Sequence, residues 1–209
     1  MTAVQVLVLA KEPVAGRVKT RLTPALTPQE AAEIAEAALE DTLDAVRRTD
    51  AAVRVLVLDG TWAADGFAVQ PQCTGELDER LAQAFDAAWA ENPVPMLLIG
   101  MDTPQVTEVL LEKAVATLLS PGVDAVLGLA EDGGWWGLGL RRPQPQLIRG
   151  VVTSRDDTGQ VQRERLLSAS LKLVDLPVLR DVDTVEDLLI VAASCPEGRF
   201  TATVTRVLP

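Results

Sequence analysis

The sequence predicts an α/β fold: a three-layer α/β/α arrangement with a mostly parallel central sheet, in one domain over residues 1–209. Short apolar segments, typical of strands buried on both faces, alternate along the chain with longer segments of helical spacing. This alternation favours a parallel sheet with helices on both faces. Hydrophobic residues make up 48% of the chain and charged residues 23%, the mix of a globular protein with a substantial core.

The elements follow in order from apolar spacing and capping signals. Val4 to Ala10 is a Val-rich strand, and a capping-box signature at Thr27 and Glu30 starts a helix from Pro28 to Arg48. Further strands are expected at residues 53–58, 67–69, 96–100, 124–129, 135–140 and 171–174. Further helices are expected at residues 77–90, 107–119, 158–168 and 184–193. Residues 142–146 suggest a Pro-rich loop, and residues 199–208 suggest a strand, with a frayed helix as the alternative.

Charge and missing residue types exclude several classes of function. A formal net charge of -11 disfavours a nucleic-acid partner and an anionic membrane surface. The chain has no His and no Tyr, which removes Ser-His-Asp and Cys-His catalysis and His-ligated zinc. Cys73 and Cys195 are too few for a disulfide scaffold, and no apolar run approaches about 20 residues, so we expect a cytoplasmic protein.

The segment after the first strand is basic. It reads AKEPVAGRVKTRL and carries Lys11, Arg17, Lys19 and Arg21 around Gly16. A glycine-containing loop after a strand can present N–H groups to phosphate, while Lys and Arg neutralise its charge. The segment has neither the Walker A nor the GxGxxG pattern, so the choices are a different phosphate-binding loop or a solvated basic loop.

Acidic residues follow two later elements. Asp102 lies just past the strand at 96–100, where a carboxylate can bind Mg²⁺ or Mn²⁺, with an Asx-turn or a helix cap as the alternative. Asp181 and Asp183 precede the helix that starts at Thr184. They either turn the chain or bring Asp183 to the same metal as Asp102. Ligands of such folds bind beyond the carboxyl ends of the strands, where the basic segment and Asp102 fall.

A glycine- and tryptophan-rich segment, EDGGWWG, spans residues 131–137. Gly133 and Gly134 permit close approach of a ligand to the backbone. Trp135 and Trp136 would point to opposite faces of a strand. One of them is therefore expected to face a pocket or a partner, with a position under a loop as the alternative.

Four segments occur in the same order as in a known family: AKEPVAGRVKTRL, IGMDTP, EDGGWWGLGL and DVDTVEDL. The chain resembles a bacterial glycosyltransferase-A-like family that is similar to the 2-phospholactate guanylyltransferases. The resemblance covers about residues 4–193 and implies a nucleotide-diphospho-sugar transferase fold with a divalent cation, Mg²⁺ or Mn²⁺.

The resemblance also implies roles for individual residues. It assigns Lys19 and Arg21 to phosphate, Gly16 to the loop turn, and Asp102 and Asp183 to the metal. Nucleotide binding is further expected at Lys11, Gly75 and Arg80, and the second substrate is expected at Asp132, Gly133, Gly134 and Trp135. The sequence departs from the family pattern at Asp78, where Gly is usual, at Trp135, where Tyr is usual, and over residues 150–158.

These features predict a metal-dependent nucleotidyltransferase. It would use a nucleoside triphosphate and a small phosphorylated or hydroxylated acceptor, with catalysis by Lys19, Asp102, Asp132 and Asp183. The alternatives are a glycosyltransferase that uses a nucleotide sugar and a non-catalytic nucleotide-binding module. Apolar positions on the helix at 184–193 also suggest a homodimer.

Overall fold

The computed structural model describes residues 3–208 and contains one seven-stranded sheet. Its strands are β1 (Gln5–Lys11), β2 (Val53–Asp59), β3 (Ala68–Pro71), β4 (Met96–Gly100), β5 (Ala125–Leu129), β6 (Trp135–Leu140) and β7 (Leu173–Asp175). The order across the sheet is β3-β2-β1-β4-β6-β5-β7. Strand β6 runs antiparallel to β4 and β5, and the other neighbouring strands pair in parallel. The expectation of a mostly parallel sheet is confirmed.

Helices cover both faces of the sheet. They are α1 (Pro28–Arg48), α2 (Leu77–Glu91), α3 (Glu108–Leu119), α4 (Pro145–Ile148), α5 (Thr158–Ser168), α6 (Val185–Ser194) and α7 (Arg199–Val207). One core joins α1 and α3 to the sheet, and a second joins α2, α4 and α5 to its other face. A third cluster joins α6 and α7 to α1 and to the loops beside them. The three-layer arrangement therefore carries an additional pair of helices on α1.

Both capping boxes form as the sequence predicts. Thr27 Oγ1 accepts from the N–H of Glu30 at 3.2 Å, and Glu30 Oε2 accepts from the N–H of Thr27 at 2.8 Å. Thr184 and Asp187 make the same reciprocal pair at the start of α6. These bonds satisfy N–H groups that the first turn of a helix leaves free, so local sequence sets where both helices begin.

Two expectations for the second half of the chain need correction. Of the two alternatives for 199–208, the strand is wrong and the helix is confirmed: Arg199–Val207 forms α7, because Phe200 and Val204 lie one helical turn apart and are both buried against α1. The Pro-rich loop at 142–146 overlaps α4, which starts at Pro145, a residue compatible with the first turn of a helix.

The strand order creates a crevice. From β1 the chain moves to β2 and β3 on one side, and later to β4 on the other side. Such a reversal separates the loops that follow the two neighbouring strands, here β1 and β4, and opens a binding crevice at their carboxyl ends. Within residues 3–208, none of the helices is both long and apolar enough to cross a bilayer.

Candidate active site

A cavity of about 750 Å³ lies at the carboxyl ends of β1 and β4. Eight of the residues that the sequence assigns to the site line it: Lys11, Arg21, Arg80, Asp102, Asp132, Gly134, Trp135 and Asp183. An adjoining cleft of about 250 Å³ is lined by the basic residues Lys11, Arg17, Lys19 and Arg21. The topology therefore brings the basic loop and the acidic segments to one place.

Lys19 lies between two acidic segments. Its Nζ is 2.7 Å from Oδ1 of Asp102 and 3.5 Å from Oδ1 of Asp183, and it also donates to the carbonyl oxygen of Val182. Burial alone would lower the pKa of Lys19, but Asp102 and then Asp183 outweigh this effect, so the pKa is raised. Only 7% of the side chain is exposed. The ammonium group is therefore charged, and its three N–H groups face acceptors within the protein.

Three carboxylates form a second feature of the cavity. Oxygens of Asp132, Asp181 and Asp183 lie within 4.8 Å of one another. Burial, and then repulsion by Asp132 and Asp183, raise the pKa of Asp181 to about 6. Mutually repelling oxygen donors at this spacing fit a hard divalent cation such as Mg²⁺ or Mn²⁺. The structure thus groups Asp183 with Asp132 and Asp181, and it pairs Asp102 with Lys19.

Asp181 is a site residue that the sequence assignment missed. The available signal was its position two residues before Asp183, because neighbours at that spacing in extended chain share a side. The segment is held by Asp187, which accepts from the N–H groups of Asp183 at 3.2 Å and Thr184 at 2.8 Å. Arg180 joins Asp187 to Glu131 beside the cavity.

The two neighbouring tryptophans have different environments. Trp136 is 2% exposed and donates from Nε1 to the carbonyl oxygen of Pro177 at 2.9 Å. Trp135 lies on the opposite face of β6 and is partly buried against the second core, and both side chains border the cavity. Trp136 is therefore a core residue at the edge of the site, and Trp135 is the more exposed of the two.

Gly133 lies against the backbone of the segment before α5. Its φ is +92°, and a Cβ there would lie 1.9 Å from the carbonyl oxygen of Asp156. Its carbonyl oxygen accepts from the N–H of Gly159 at 2.7 Å. The close approach that the sequence assigned to a ligand is thus a contact with the segment before α5. Gly134 N–H donates to Oδ1 of Asp132 at 2.7 Å and orients that carboxylate.

Of the remaining predicted residues, Arg80 lines the cavity, whereas Gly75 and Gly16 are not among its lining residues. Arg80 donates from Nε to the carbonyl oxygen of Gly75 at 2.8 Å and lies 3.4 Å from Asp59. Gly16 forms an exposed turn in the basic loop, with φ +77°.

Two departures from the family pattern meet in the structure. Oδ2 of Asp78, at the start of α2, accepts from the N–H of Gly150 at 2.6 Å. Asp78, which stands where the family pattern has Gly, therefore connects α2 by a hydrogen bond to the first residue of the divergent segment 150–158.

The fold and this arrangement of groups define a glycosyltransferase-A-like protein of the nucleotide-diphospho-sugar transferase class. The chain belongs to the family described as "uncharacterized protein conserved in bacteria (DUF2064)", which matches residues 33–155. No curated protein matches the sequence.

Solved structures share the fold. A Desulfovibrio desulfuricans protein named as a nucleotide-diphospho-sugar transferase is 26% identical, with a TM-score of 0.89 over 99% of this chain and 95% of that one. A Mycobacterium tuberculosis protein in complex with manganese is 23% identical, with a TM-score of 0.55 over 91% and 97%. A nucleotidyl transferase from Methanothermobacter is 15% identical, with a TM-score of 0.60 over 97% and 100%. These similarities support a transferase; the narrower likeness to 2-phospholactate guanylyltransferases stays a prediction.

Proposed function

We propose that the chain is a nucleotidyltransferase that requires a divalent cation and uses a nucleoside triphosphate. The observation that carries this proposal is the junction of the basic cleft with the acidic cavity, which share Lys11, Arg21, Asp102 and Asp183 as walls. A site for phosphate anions thus adjoins a site for a cation. That combination suits a polyphosphate whose charge is partly neutralised by metal.

The charge of the larger cavity supports a metal requirement. Among the described residues, its wall carries seven Asp side chains but only four basic side chains. A bare triphosphate would be repelled by this surplus of negative charge. We assign the cation to Asp132, Asp181 and Asp183. Asp102 is the further candidate ligand, because its side chain is 49% exposed and lines the same cavity.

The basic cleft and the acidic cavity have different roles in this reaction. Lys11, Arg17 and Arg21 bind the phosphates, and Arg80 lies on the nucleoside side. An oxygen of the acceptor, held near Trp135, attacks the α-phosphorus, and the bond to the pyrophosphate oxygen breaks. Pyrophosphate leaves beside the basic loop. A bound divalent cation supplies Lewis-acid stabilisation of the charge on the phosphate oxygens.

Glycosyl transfer is the second candidate. Trp135 and Asp132 both line the cavity, and an aromatic face together with a carboxylate also suits a sugar. The products separate the candidates: nucleotidyl transfer releases pyrophosphate, and glycosyl transfer releases a nucleoside diphosphate. A non-catalytic module would bind nucleotide and release neither product.

Thermal unfolding with a panel of nucleotides tests the proposal. We expect one nucleoside triphosphate to stabilise the protein in Mg²⁺ or Mn²⁺ but not in EDTA, by about 2.7 kcal/mol at a 100-fold excess over its Kd. Asp132→Asn should lose this effect, and Asp65→Asn, an exposed Asp elsewhere, should keep it. Stabilisation by a nucleotide sugar alone would favour glycosyl transfer, and the same shift in EDTA would contradict the metal requirement.

A further inference from the structure

We propose that Lys19 is a positioning residue: its ammonium group joins the two acidic segments and so shapes the cation site, and it does not bind substrate phosphate. This inference rests on the proposed metal requirement. It reassigns the residue for which the sequence resemblance implies a phosphate contact.

The acceptors around Lys19 come from two distant parts of the sheet. Asp102 follows the central strand β4, whereas Val182 and Asp183 follow the edge strand β7. With both segments bound, the N–H groups of Lys19 are directed to protein oxygens. Arg21 of the same loop also pairs with Asp183, through Nη1 and Oδ2, but 67% of the Arg21 side chain is exposed, so its other N–H groups are open to a ligand.

Val182 shows how this contact places the acidic cluster. Its side chain is buried in the third hydrophobic cluster, its N–H donates to the carbonyl oxygen of Asp102 at 3.1 Å, and its carbonyl oxygen accepts from Lys19. The residues on either side of it are Asp181 and Asp183. The backbone between two members of the cluster is therefore fixed through Lys19 and the loop of Asp102.

The backbone conformation of Lys19 directs its side chain toward the acidic segments. Its φ of 47° and ψ of 38° are left-handed, a conformation that an L-residue other than Gly adopts at a cost. The three residues that follow form a short 3₁₀ turn, Thr20–Leu22, whose Leu22 is buried. The loop is thus anchored next to Lys19, and the side chain is directed inward.

Replacement of Lys19 distinguishes a purely electrostatic role from a positioning role, because the two roles predict opposite changes in Mn²⁺ affinity. A positive charge beside a cation site weakens cation binding by Coulomb repulsion, so its loss should tighten Mn²⁺ binding if charge alone matters. If Lys19 holds Asp183 in place, its loss should weaken Mn²⁺ binding instead. Groups that orient metal ligands typically contribute a factor of about 10–100 in affinity.

The experiment measures Mn²⁺ binding to the full chain by calorimetry, without nucleotide. We expect Lys19→Met to bind Mn²⁺ about 10-fold more weakly than the wild type. Lys19→Gln, which keeps N–H donors without the charge, should recover part of the loss. Lys113→Met, the same change at an exposed Lys on α3, should bind like the wild type. Thermal unfolding checks that each variant folds.

The outcomes are distinct. Equal or tighter Mn²⁺ binding by Lys19→Met would overturn the inference, and so would equal weakening by Lys19→Met and Lys19→Gln. If Lys19→Met does not fold, Lys19→Gln decides: weaker binding than the wild type supports the inference, and equal or tighter binding overturns it. Lack of Mn²⁺ binding by the wild type would instead count against the proposed function.

Discussion

The carboxylate of Asp41 on α1 accepts a hydrogen bond from the backbone N–H of Phe200, at 2.9 Å, and thereby caps α7 across 159 residues of sequence. The same carboxylate accepts from the N–H of Arg199 at 3.1 Å. Gly198 lies so close that a Cβ there would be 2.5 Å from Oδ2 of Asp41. A side chain of one helix thus supplies the acceptors that the first turn of another helix lacks.

Asp41→Ala should destabilise the protein by about 1–2 kcal/mol, the usual cost of a lost helix cap. For a chain of this size the midpoint of thermal unfolding should fall by about 2–8 °C. Asp44→Ala is the matched control, because Asp44 binds Arg199 and Arg47 through their side chains only. Its loss should cost less than about 1 kcal/mol. Equal effects of the two substitutions would show that the cap contributes nothing beyond the ion pair.

The raised pKa of Asp181 predicts a pH-dependent stability of the metal-free protein. A carboxyl group with a pKa of about 6 when folded and 3.8 when unfolded holds its proton more tightly in the folded state. Its contribution is fully present below pH 3.8 and is lost as the pH rises through 6. Asp181→Asn should therefore stabilise the metal-free protein at pH 7.5, on the order of 1 kcal/mol after solvent screening, and have little effect at pH 4.

Thermal unfolding in EDTA at these two pH values measures the effect. Glu164→Gln, on the exposed surface of α5, controls for general loss of negative charge from this acidic chain. A stabilisation by Asp181→Asn that is the same at both pH values would rule out the titration of Asp181 as its cause.

The geometry ranks the candidate metal ligands. Asp132→Asn should weaken Mn²⁺ binding by at least about 10-fold. Asp102→Asn should have a smaller effect, because Asn at 102 can still accept the hydrogen bond from Lys19. Calorimetry on both variants gives the comparison. If Asp102→Asn weakens Mn²⁺ binding more than Asp132→Asn does, Asp102 is a main metal ligand, as the sequence resemblance implies.

The two tryptophans should differ in what they affect. Trp136→Phe leaves the carbonyl oxygen of Pro177 without its donor and reduces the packed volume, so it should cost about 1–3 kcal/mol of stability. Trp135→Ala should leave nucleotide binding unchanged and raise the KM for the acceptor. Unfolding curves and steady-state kinetics measure these effects. A loss of nucleotide affinity in Trp135→Ala would show that the nucleotide, and not the acceptor, contacts Trp135.

Gly133→Ala should be severely destabilising, since the new Cβ would meet the Asp156 backbone at 1.9 Å and the φ is +92°. We expect a loss of about 3 kcal/mol or more. Gly66→Ala is the matched control: its φ is +83°, but a Cβ there faces open space among the described residues, so about 1 kcal/mol is expected. Similar midpoints of denaturation for the two variants would mean that segment 153–158 moves aside freely.

Local signals predicted the fold, and long-range contacts limited the prediction of the site. The capping boxes at Thr27 and Thr184 depend on residues three positions apart and could be read directly. The helix at Arg199–Val207 was only the alternative to a strand, because its cap, Asp41, lies far away in the sequence and its Thr and Val residues favour strands.

The partners of Lys19 could not be predicted either, because they also lie far away in the sequence. Spacing can place Lys19 on a loop after a strand, but its bonds to Asp102 and Val182 depend on strand order across the whole sheet. Asp181 had a local signal in its spacing from Asp183, but its raised pKa depends on burial and on Asp132, which lies on the loop between β5 and β6.

The contact between Lys19 and Val182 spans 163 residues of sequence, which has a consequence during synthesis on the ribosome. The first strand and the basic loop emerge early, but the oxygens that surround Lys19 emerge much later. Asp102 can pair with Lys19 once β4 has been made, but a nascent chain has no assembled acidic cluster until the segment at 181–183 arrives. Cation binding should thus be acquired only after the segment at 181–183 has been made.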